Sequence, residues 1–282
     1  MEISYFKSAW GDIKHTPGWL GKMAKLALLN LIPIFGQIVT MGYLYGWARD
    51  IAWGVHQPLP DRIFANSENN PLYKRGFFAL VIAFVIGLLP GILSSMGEVL
   101  AGGGLMGVSA GGMHHSMMGV TLAGVVVELA AIVLSFAAYV FTPVGIVRMS
   151  IYNRLSAGLQ LGRIWKMLRH DPHGALRIVG MTIVAGLVGT LVVGGIGTMV
   201  VTAGTVSMLA VSGFSGGSGA TAVLCGMGGV GIVLLVALAF VALVVAMLID
   251  ALTVRAVGYW TYQFDVPHWG SQDDPMPFER AA

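Results

Sequence analysis

The sequence predicts an all-α integral membrane protein. It comprises two long transmembrane helical hairpins, an N-terminal broken or re-entrant hydrophobic hairpin, and amphipathic cytoplasmic linker helices. The composition is the first reason, because 56% of the 282 residues are hydrophobic and only 10% are charged. Soluble domains carry about 25% charged residues, and a water-soluble fold with so few would expose large apolar patches. The second reason is that several apolar stretches reach the ~20 residues that cross a bilayer. The third is that basic residues are concentrated between these stretches.

Residues 1–24 are expected to form a cytoplasmic or interfacial arm. The arm lacks a compact apolar core followed by small residues, so it is not read as a signal peptide. Phe6, Trp10 and Ile13 recur at helical spacing and give the arm a weak apolar stripe.

Residues 25–47 form an apolar segment that we expect to be broken. Pro33 and Gly36 lie near its middle. Proline removes a helical hydrogen bond and clashes with the preceding turn, and Asn30 and Gln37 are placed to satisfy the backbone groups that a break frees. A re-entrant or broken hairpin is therefore favoured. A single crossing stays open as the alternative, because neighbouring protein allows proline inside spanning helices.

Four further apolar segments, 76–97, 119–147, 178–202 and 220–249, are expected to be transmembrane helices. The run from Ile178 to Ile249 contains no charged residue and is too long for one helix. Its interior sequence SGFSGGSG (212–219) is typical of a turn, so this run is predicted to form a hairpin. The glycine-rich stretch 98–118 forms the corresponding link between the first two segments.

The distribution of basic residues predicts the topology. The linker 148–177 is rich in Arg and Lys, which by the positive-inside rule places it in the cytoplasm together with the tail 250–282. If the broken segment turns back, all 16 Lys and Arg residues lie on that side. If it crosses once, the lysines of the N-terminal arm lie outside. We therefore expect a multi-pass protein of the cell inner (cytoplasmic) membrane with both termini in the cytoplasm.

The basic linker 148–177 also contains an amphipathic helix. Its apolar residues follow helical spacing and its basic residues mark another face. They are Leu161, Ile164, Trp165 and Leu168 on the one side, and Arg163, Lys166 and Arg169 on the other. Such a helix can lie in the interface and contact anionic lipid headgroups. A helix packed under the bundle is the alternative.

Glu128 is the leading candidate for an intramembrane binding or coupling site. It lies inside the predicted helix 119–147, between ValValVal and LeuAlaAla. A carboxyl group there costs roughly 2.5–3.5 kcal/mol on insertion scales, so it normally faces a partner or a wet cavity. A carboxyl group that only joins two helices by hydrogen bonding is the alternative. The break, with Asn30, Pro33, Gly36 and Gln37, is the second candidate site.

The outer link contains a weaker candidate for metal binding. Met113, His114, His115 and Met117 are soft ligands that suit copper, although a glycine-rich link gives them no defined geometry. No metal site is therefore favoured and no cofactor is expected. The single cysteine excludes an internal disulfide framework.

Short motifs in the first two thirds of the chain resemble a family of polytopic membrane proteins from bacteria and archaea, known only as a domain of unknown function. The first motif is AlaLeuLeuAsnLeuIlePro (27–33), followed by Gly36, Gly42, Tyr43, Arg49, Gly54 and LeuPro (59–60). The second is PheThrProValGlyIleValArg (141–148), followed by Asn153, Gly158, ArgIle (163–164), AspPro (171–172) and Leu176. The resemblance implies an integral membrane protein without an assigned activity.

The function expected from these observations is that of a non-catalytic scaffold or an accessory, binding component. Walker, HExxH and G-x-S-x-G motifs are absent from the sequence, so an enzyme is not predicted. A small-solute or ion-coupled permease using Glu128 is the first alternative, and a copper-handling protein is the second. The expected partners are the lipid bilayer and a membrane protein or second copy of the chain, and nucleic acid is not expected.

Overall fold

A computed structural model describes residues 5–65, 67, 71–100, 122–212 and 228–280. The regular secondary structure of these residues is helical, and they contain no strand. The helices are α1 (Tyr5–Lys14), α2 (Trp19–Asn30), α3 (Phe35–Ala52), α4 (Leu72–Leu100), α5 (Leu122–Tyr152), α6 (Leu155–Gly158), α7 (Leu161–His170), α8 (Pro172–Ser212), α9 (Gly228–Tyr262) and α10 (Pro277–Arg280), with a 3₁₀ turn at Val266–His268. The predicted all-α class is confirmed for this part of the chain.

Among the described helices, α4, α5, α8 and α9 are long and apolar enough to cross a membrane. Helices α4 and α8 contain the predicted segments 76–97 and 178–202, and the described starts of α5 and α9 lie inside the predicted segments 119–147 and 220–249. The largest difference is at α9, which continues past Ile249 to Tyr262. Residues 250–262, which the sequence assigns to the start of the tail, thus continue this helix. Asp250 and Arg255 lower the local hydropathy, but the helix continues through both residues, and Arg255 is buried among its neighbours.

The four long helices form two antiparallel pairs. In the first pair, Gly97 of α4 lies against Glu128 of α5. In the second, the Oγ1 atoms of Thr182 in α8 and Thr253 in α9 are 3.0 Å apart. Helix α3 packs against both pairs. It therefore joins the two pairs.

The segment 25–47 is interrupted between α2 and α3. Ile34 has a φ of 63° and a ψ of −60°, and the Phe35 N–H donates a hydrogen bond to the Pro33 carbonyl at 2.6 Å. Together these define a γ-turn, which a β-branched residue rarely adopts. Gly36 lies directly against the Leu29 carbonyl and has no room for a side chain. The apolar tip of this turn is exposed at Leu31, Ile32, Ile34 and Phe35.

Three buried arginines fasten the helices, near the start of α4, near the end of α5 and in the C-terminal part of α9. Arg75, Arg148 and Arg255 are each no more than 1% exposed. Each donates to a backbone carbonyl of another element, with Arg75 bonding Gly42 at 3.2 Å, Arg148 bonding Ala157 at 3.2 Å and Arg255 bonding Trp47 at 2.6 Å. A buried charge is costly unless it is paired and hydrogen-bonded. These contacts therefore set the positions of the helices that surround the candidate site.

The amphipathic linker helix α7 is partly packed under the bundle. Ile164 and Leu168 are buried there, whereas Leu161 and Trp165 remain exposed. On its basic side, Arg163 contacts Glu279 of α10 at 2.9 Å. Lys166 contacts the same carboxylate at 3.0 Å.

Glu279 partly neutralises this basic face. Burial raises the pKa of Glu279, but hydrogen bonds from Lys166 and Arg163 outweigh it and hold the pKa below its usual range. The carboxylate is therefore ionised at neutral pH. Part of the positive charge that was expected to meet lipid headgroups is instead paired with the chain's own C-terminal segment.

Candidate functional site

A cavity of about 540 Å³ lies between the two helical pairs, and we call it the Asp250 cavity. Helices α3, α4, α5, α8 and α9 line it, and Leu168 of α7 contributes at one end. Most of its wall is apolar, including Val140, Val179 and Val254. Its volume falls within the range of small-molecule sites, about 300–1,000 Å³.

Asp250 supplies the only carboxylate among the residues that line this cavity. Within the described part of the chain, its side chain forms no hydrogen bond and no ion pair. The residue as a whole is exposed at the surface of the helical bundle. It also lines a second cavity of about 500 Å³ between α8 and α9.

Arg255 is the nearest basic residue along α9, but its charge is already used. Five residues of α-helix separate the two by about 7.5 Å along the axis and turn them to different faces. The guanidinium of Arg255 contacts the Asp12 carboxylate at 2.6 Å. It also donates to the carbonyls of Trp47 and Gln57. Asp250 is therefore left without a neutralising cation.

Residues with hydroxyl groups line the cavity together with Asp250, among them Tyr45, Tyr139, Thr182 and Thr253. Tyr45 and Tyr139 lie close enough to interact electrostatically with the Asp250 carboxylate. The Thr182 hydroxyl, 3.0 Å from that of Thr253, is also within hydrogen-bonding reach of Tyr139. The cavity thus combines apolar walls with a small polar group of side chains, the usual composition of a ligand site.

Trp260 and Leu168 form part of the cavity wall, and a hydrogen bond to Asp171 holds the indole of Trp260. The Trp260 indole N–H donates to the Asp171 carboxylate at 3.0 Å, and the Gln263 amide donates to it at 2.7 Å. The same carboxylate accepts the Gly174 N–H at 2.9 Å and so caps α8. Burial raises the pKa of Asp171, but these hydrogen bonds hold it below its usual range. An ionised Asp171 therefore fixes the indole ring.

Two glycines of α4 line the cavity and have open space around them. A Cβ atom placed on Gly87 or Gly91 would meet no atom within 4 Å. Pro90 lies between them, and Pro143 lines the facing part of α5. Proline inside a helix removes a hydrogen bond, so both helices are weakened where they border the cavity.

Glu128, the leading candidate from the sequence, is placed in the second turn of α5, because that helix begins at Leu122. Twenty residues separate it from Arg148, about 30 Å along the helix. Ser94 donates to its Oε1 atom at 3.3 Å, and its Oε2 atom is buried without a hydrogen-bond partner among the described residues. Ser94 lines the Asp250 cavity, whereas Glu128 does not.

The residues at the predicted break are brought together, but away from the cavity. Asn30 ends α2, Pro33 lies in the γ-turn, and Gly36 and Gln37 begin α3. None of them is among the residues that line the Asp250 cavity. In the structure these residues therefore lie in and around a turn whose apolar tip is exposed.

The possible copper ligands Met113, His114, His115 and Met117 lie outside the described residues. Within the described ranges, no group of three or more His, Cys, Asp or Glu side chains could hold a metal ion.

Sequence reasoning missed Asp250. The predicted last helix, 220–249, stops one residue before Asp250. The available signal was the pattern LeuIleAsp followed by AlaLeuThrVal, which continues the apolar helix beyond the acid. A carboxylate between apolar turns normally faces a partner or a cavity.

Comparison with known proteins gives a family for this architecture. The profile of a family described as a protein of unknown function (DUF4013) matches residues 25–201. That range runs from α2 into α8, so it includes every wall of the Asp250 cavity except α9. No curated protein and no solved structure matches the chain. The match covers more than half of the sequence, and the chain therefore belongs to the DUF4013 family of proteins of unknown function.

Proposed function

We propose that this protein is a non-catalytic binding component of the cytoplasmic membrane whose ligand occupies the Asp250 cavity. The observation that carries the proposal is the unpaired carboxylate of Asp250 in a cavity of about 540 Å³. Placing a carboxyl group within the membrane costs roughly 2.5–3.5 kcal/mol on insertion scales. A bound ligand that contacts the group offsets this cost.

The ligand reaches the cavity from the lipid phase in this proposal. Tyr139 is 45% exposed although it lines the cavity, and Asp250 is exposed as well. Both residues belong to helices that are apolar enough to span a membrane. An opening at that depth admits molecules that are dissolved in the bilayer.

The proposed orientation places the arginine-fastened ends of the helices at the cytoplasmic face. At these ends, the N-terminal arm contacts α9 through Asp12 with Arg255, and the basic linker contacts the C-terminal segment through Arg163 with Glu279. The α2–α3 hairpin would then enter the membrane from this face and turn back. Its exposed apolar tip supports that arrangement, because leaving Ile34 and Phe35 in water would be unfavourable.

Filling the cavity tests the proposal. Gly91→Leu adds a side chain at a position that lines the cavity and has open space around it, and Gly180→Leu is its matched control on α8, where the position is also open but does not line the cavity. The probe is the neutral photoreactive reagent trifluoromethyl-iodophenyl-diazirine, applied to the full chain in lipid nanodiscs. We expect saturable labelling of peptides that contain Ser135 to Val144 in the wild type and in Gly180→Leu, and loss of its saturable part in Gly91→Leu.

Two results would contradict the proposal. One is labelling of these peptides that rises in proportion to the probe without saturation, as for any lipid-facing surface. The other is saturable labelling that Gly91→Leu leaves unchanged.

A permease is the second candidate, favoured by Pro90 and Pro143 at the cavity wall. Interrupted helices often line transport sites, and Glu128 is linked to this wall through Ser94. In proteoliposomes, a permease would pass a bound probe into the lumen, and Glu128→Gln would slow that step. A binding component would retain the probe in the bilayer and be insensitive to Glu128→Gln.

A further inference from the structure

We propose that the Asp250 cavity selects a free organic monocation with an apolar body. This inference rests on the proposed function and adds the chemical class of the ligand. It follows from the charge of the cavity, from its aromatic side chains and from the absence of a basic residue in its lining.

Charge complementarity is the first step. Asp250 is the only Asp, Glu, Lys, Arg or His among the residues that line the cavity. Arg255 already pairs with Asp12 and two carbonyls, so it cannot turn to neutralise Asp250. Charges interact more strongly in a medium of low dielectric constant than in water. A ligand with one positive charge therefore has the most favourable electrostatic interaction with this carboxylate.

The aromatic lining is the second step. Tyr45, Tyr139 and Trp260 all line the cavity. Aromatic faces attract organic cations, and cages of such side chains recognise quaternary ammonium groups. The remaining apolar walls suit hydrocarbon or aryl substituents on the cation. A metal ion or a proton would leave this apolar volume empty.

The lack of a basic residue excludes the commonest lipids. Phospholipid headgroups carry a phosphate, which is bound in proteins mainly by Arg, Lys and backbone N–H groups. No Lys or Arg lines the described cavity, and the Asp250 carboxylate repels phosphate. A free cation therefore fits the site better than the choline group of a phospholipid.

The test uses tetraphenylphosphonium, a permanent cation with four aryl groups, and its anionic counterpart tetraphenylborate. Each is added to the full chain in phosphatidylglycerol nanodiscs, and protection of the cavity peptides from the neutral photoprobe is measured. At equal membrane-bound concentrations, we expect tetraphenylphosphonium to protect and tetraphenylborate to leave labelling unchanged. Exchanging half of the lipid for phosphatidylcholine should not displace the cation.

Variants connect the protection to Asp250. Asp250→Asn should weaken tetraphenylphosphonium protection at least tenfold, and Asp250→Glu should retain most of it. Tyr139→Leu should weaken it by a smaller factor. Glu98→Gln is the matched control, because it removes an exposed carboxylate of α4 that does not line the cavity. Thermal unfolding of each variant reports whether it is folded. If Asp250→Asn is unfolded, the protection measured with Tyr139→Leu tests the inference instead.

The inference is overturned if Asp250→Asn binds the cation as tightly as the wild type, if tetraphenylborate protects equally, or if phosphatidylcholine displaces the cation. In each of these cases, saturable labelling by the neutral probe would still support the proposed function. Loss of saturable labelling in the wild type would instead remove the proposed function and this inference together.

Discussion

At the scale of single residues, the charges on α9 have opposite surroundings although they lie one and a half turns apart. Arg255 is fully buried and has a carboxylate partner, two carbonyl acceptors and the Trp47 ring, whose centroid is 4.3 Å away. Asp250 lines a cavity and has none of these contacts among the described residues. Arg255 therefore contributes to the packing of the bundle, and Asp250 remains available for a ligand.

Removing the partner of Arg255 should destabilise the protein strongly. Asp12→Asn leaves a buried guanidinium without a counter-charge, which typically costs about 3 kcal/mol or more. The hydrogen bond that the Tyr259 hydroxyl donates to the same carboxylate at 2.9 Å would become weaker as well. The free energy of unfolding, measured by denaturant titration in detergent, is expected to fall by this amount.

Asp61→Asn is the control for this prediction. Asp61 pairs with Lys22 at 2.8 Å, but its side chain is 91% exposed. Exposed ion pairs contribute little to stability, so this variant should unfold as the wild type does. Equal stability of Asp12→Asn and Asp61→Asn would contradict the role assigned to the buried pair.

At the scale of elements, glycines of one helix serve opposite purposes. Gly76 of α4 lies against the Ile38 carbonyl of α3, so a Cβ atom there would collide with backbone. Gly87, three turns further along α4, lines the cavity and has no atom within 4 Å of a Cβ position. The first glycine permits close packing of two helices, and the second borders a cavity.

Alanine substitution should separate these two purposes. Gly76→Ala forces α3 and α4 apart and should lower the free energy of unfolding by about 1–3 kcal/mol, as overpacking does. Gly87→Ala meets no atom and should raise it by about 0.5–1 kcal/mol, because glycine weakens a helix interior relative to alanine. Thermal or denaturant unfolding of both variants measures the difference. A loss of stability in both variants would show that the open side of Gly87 is packed.

At the scale of the whole molecule, hydrogen bonds connect the basic segments to one another and to the C-terminal segment. Arg148 of α5 donates to the Gln272 carbonyl at 2.8 Å, and Arg163 of α7 donates to Glu279 and to the Asp273 carbonyl. The Tyr5 hydroxyl donates to Gln263 at 3.1 Å. The described N-terminal helix, linker and C-terminal segment therefore form a connected layer at one end of the bundle.

Cysteine labelling should locate this layer in the cytoplasm. In a Cys225→Ser background, Ser8→Cys and Ser271→Cys should resist a membrane-impermeant maleimide in intact cells and react after permeabilisation. Ser109→Cys, in the predicted outer link, should react in intact cells. Labelling of Ser8→Cys from outside would show that the segment 25–47 crosses the membrane.

How far the fold was predictable depended on the range of the interactions involved. Hydropathy and the positions of Pro33 and Gly36 were enough to predict the long helices and the position of the break, because helix formation in a bilayer is decided locally. The end of α9 was not predictable in this way. It depends on Asp12, Trp47 and Gln57, which are distant in sequence and together accommodate Arg255.

The sequence by itself determined that this is an all-α chain with four helices apolar enough to cross a membrane and with its basic residues between them. It also indicated that an intramembrane carboxylate would matter, and it pointed to Glu128. Only the tertiary structure decided which carboxylate faces open space. Glu128 packs against Gly97 and accepts a bond from Ser94, whereas Asp250 opens into a cavity formed by five helices. A cavity is the volume that side chains from separate segments leave unfilled, and no local pattern along the chain records it.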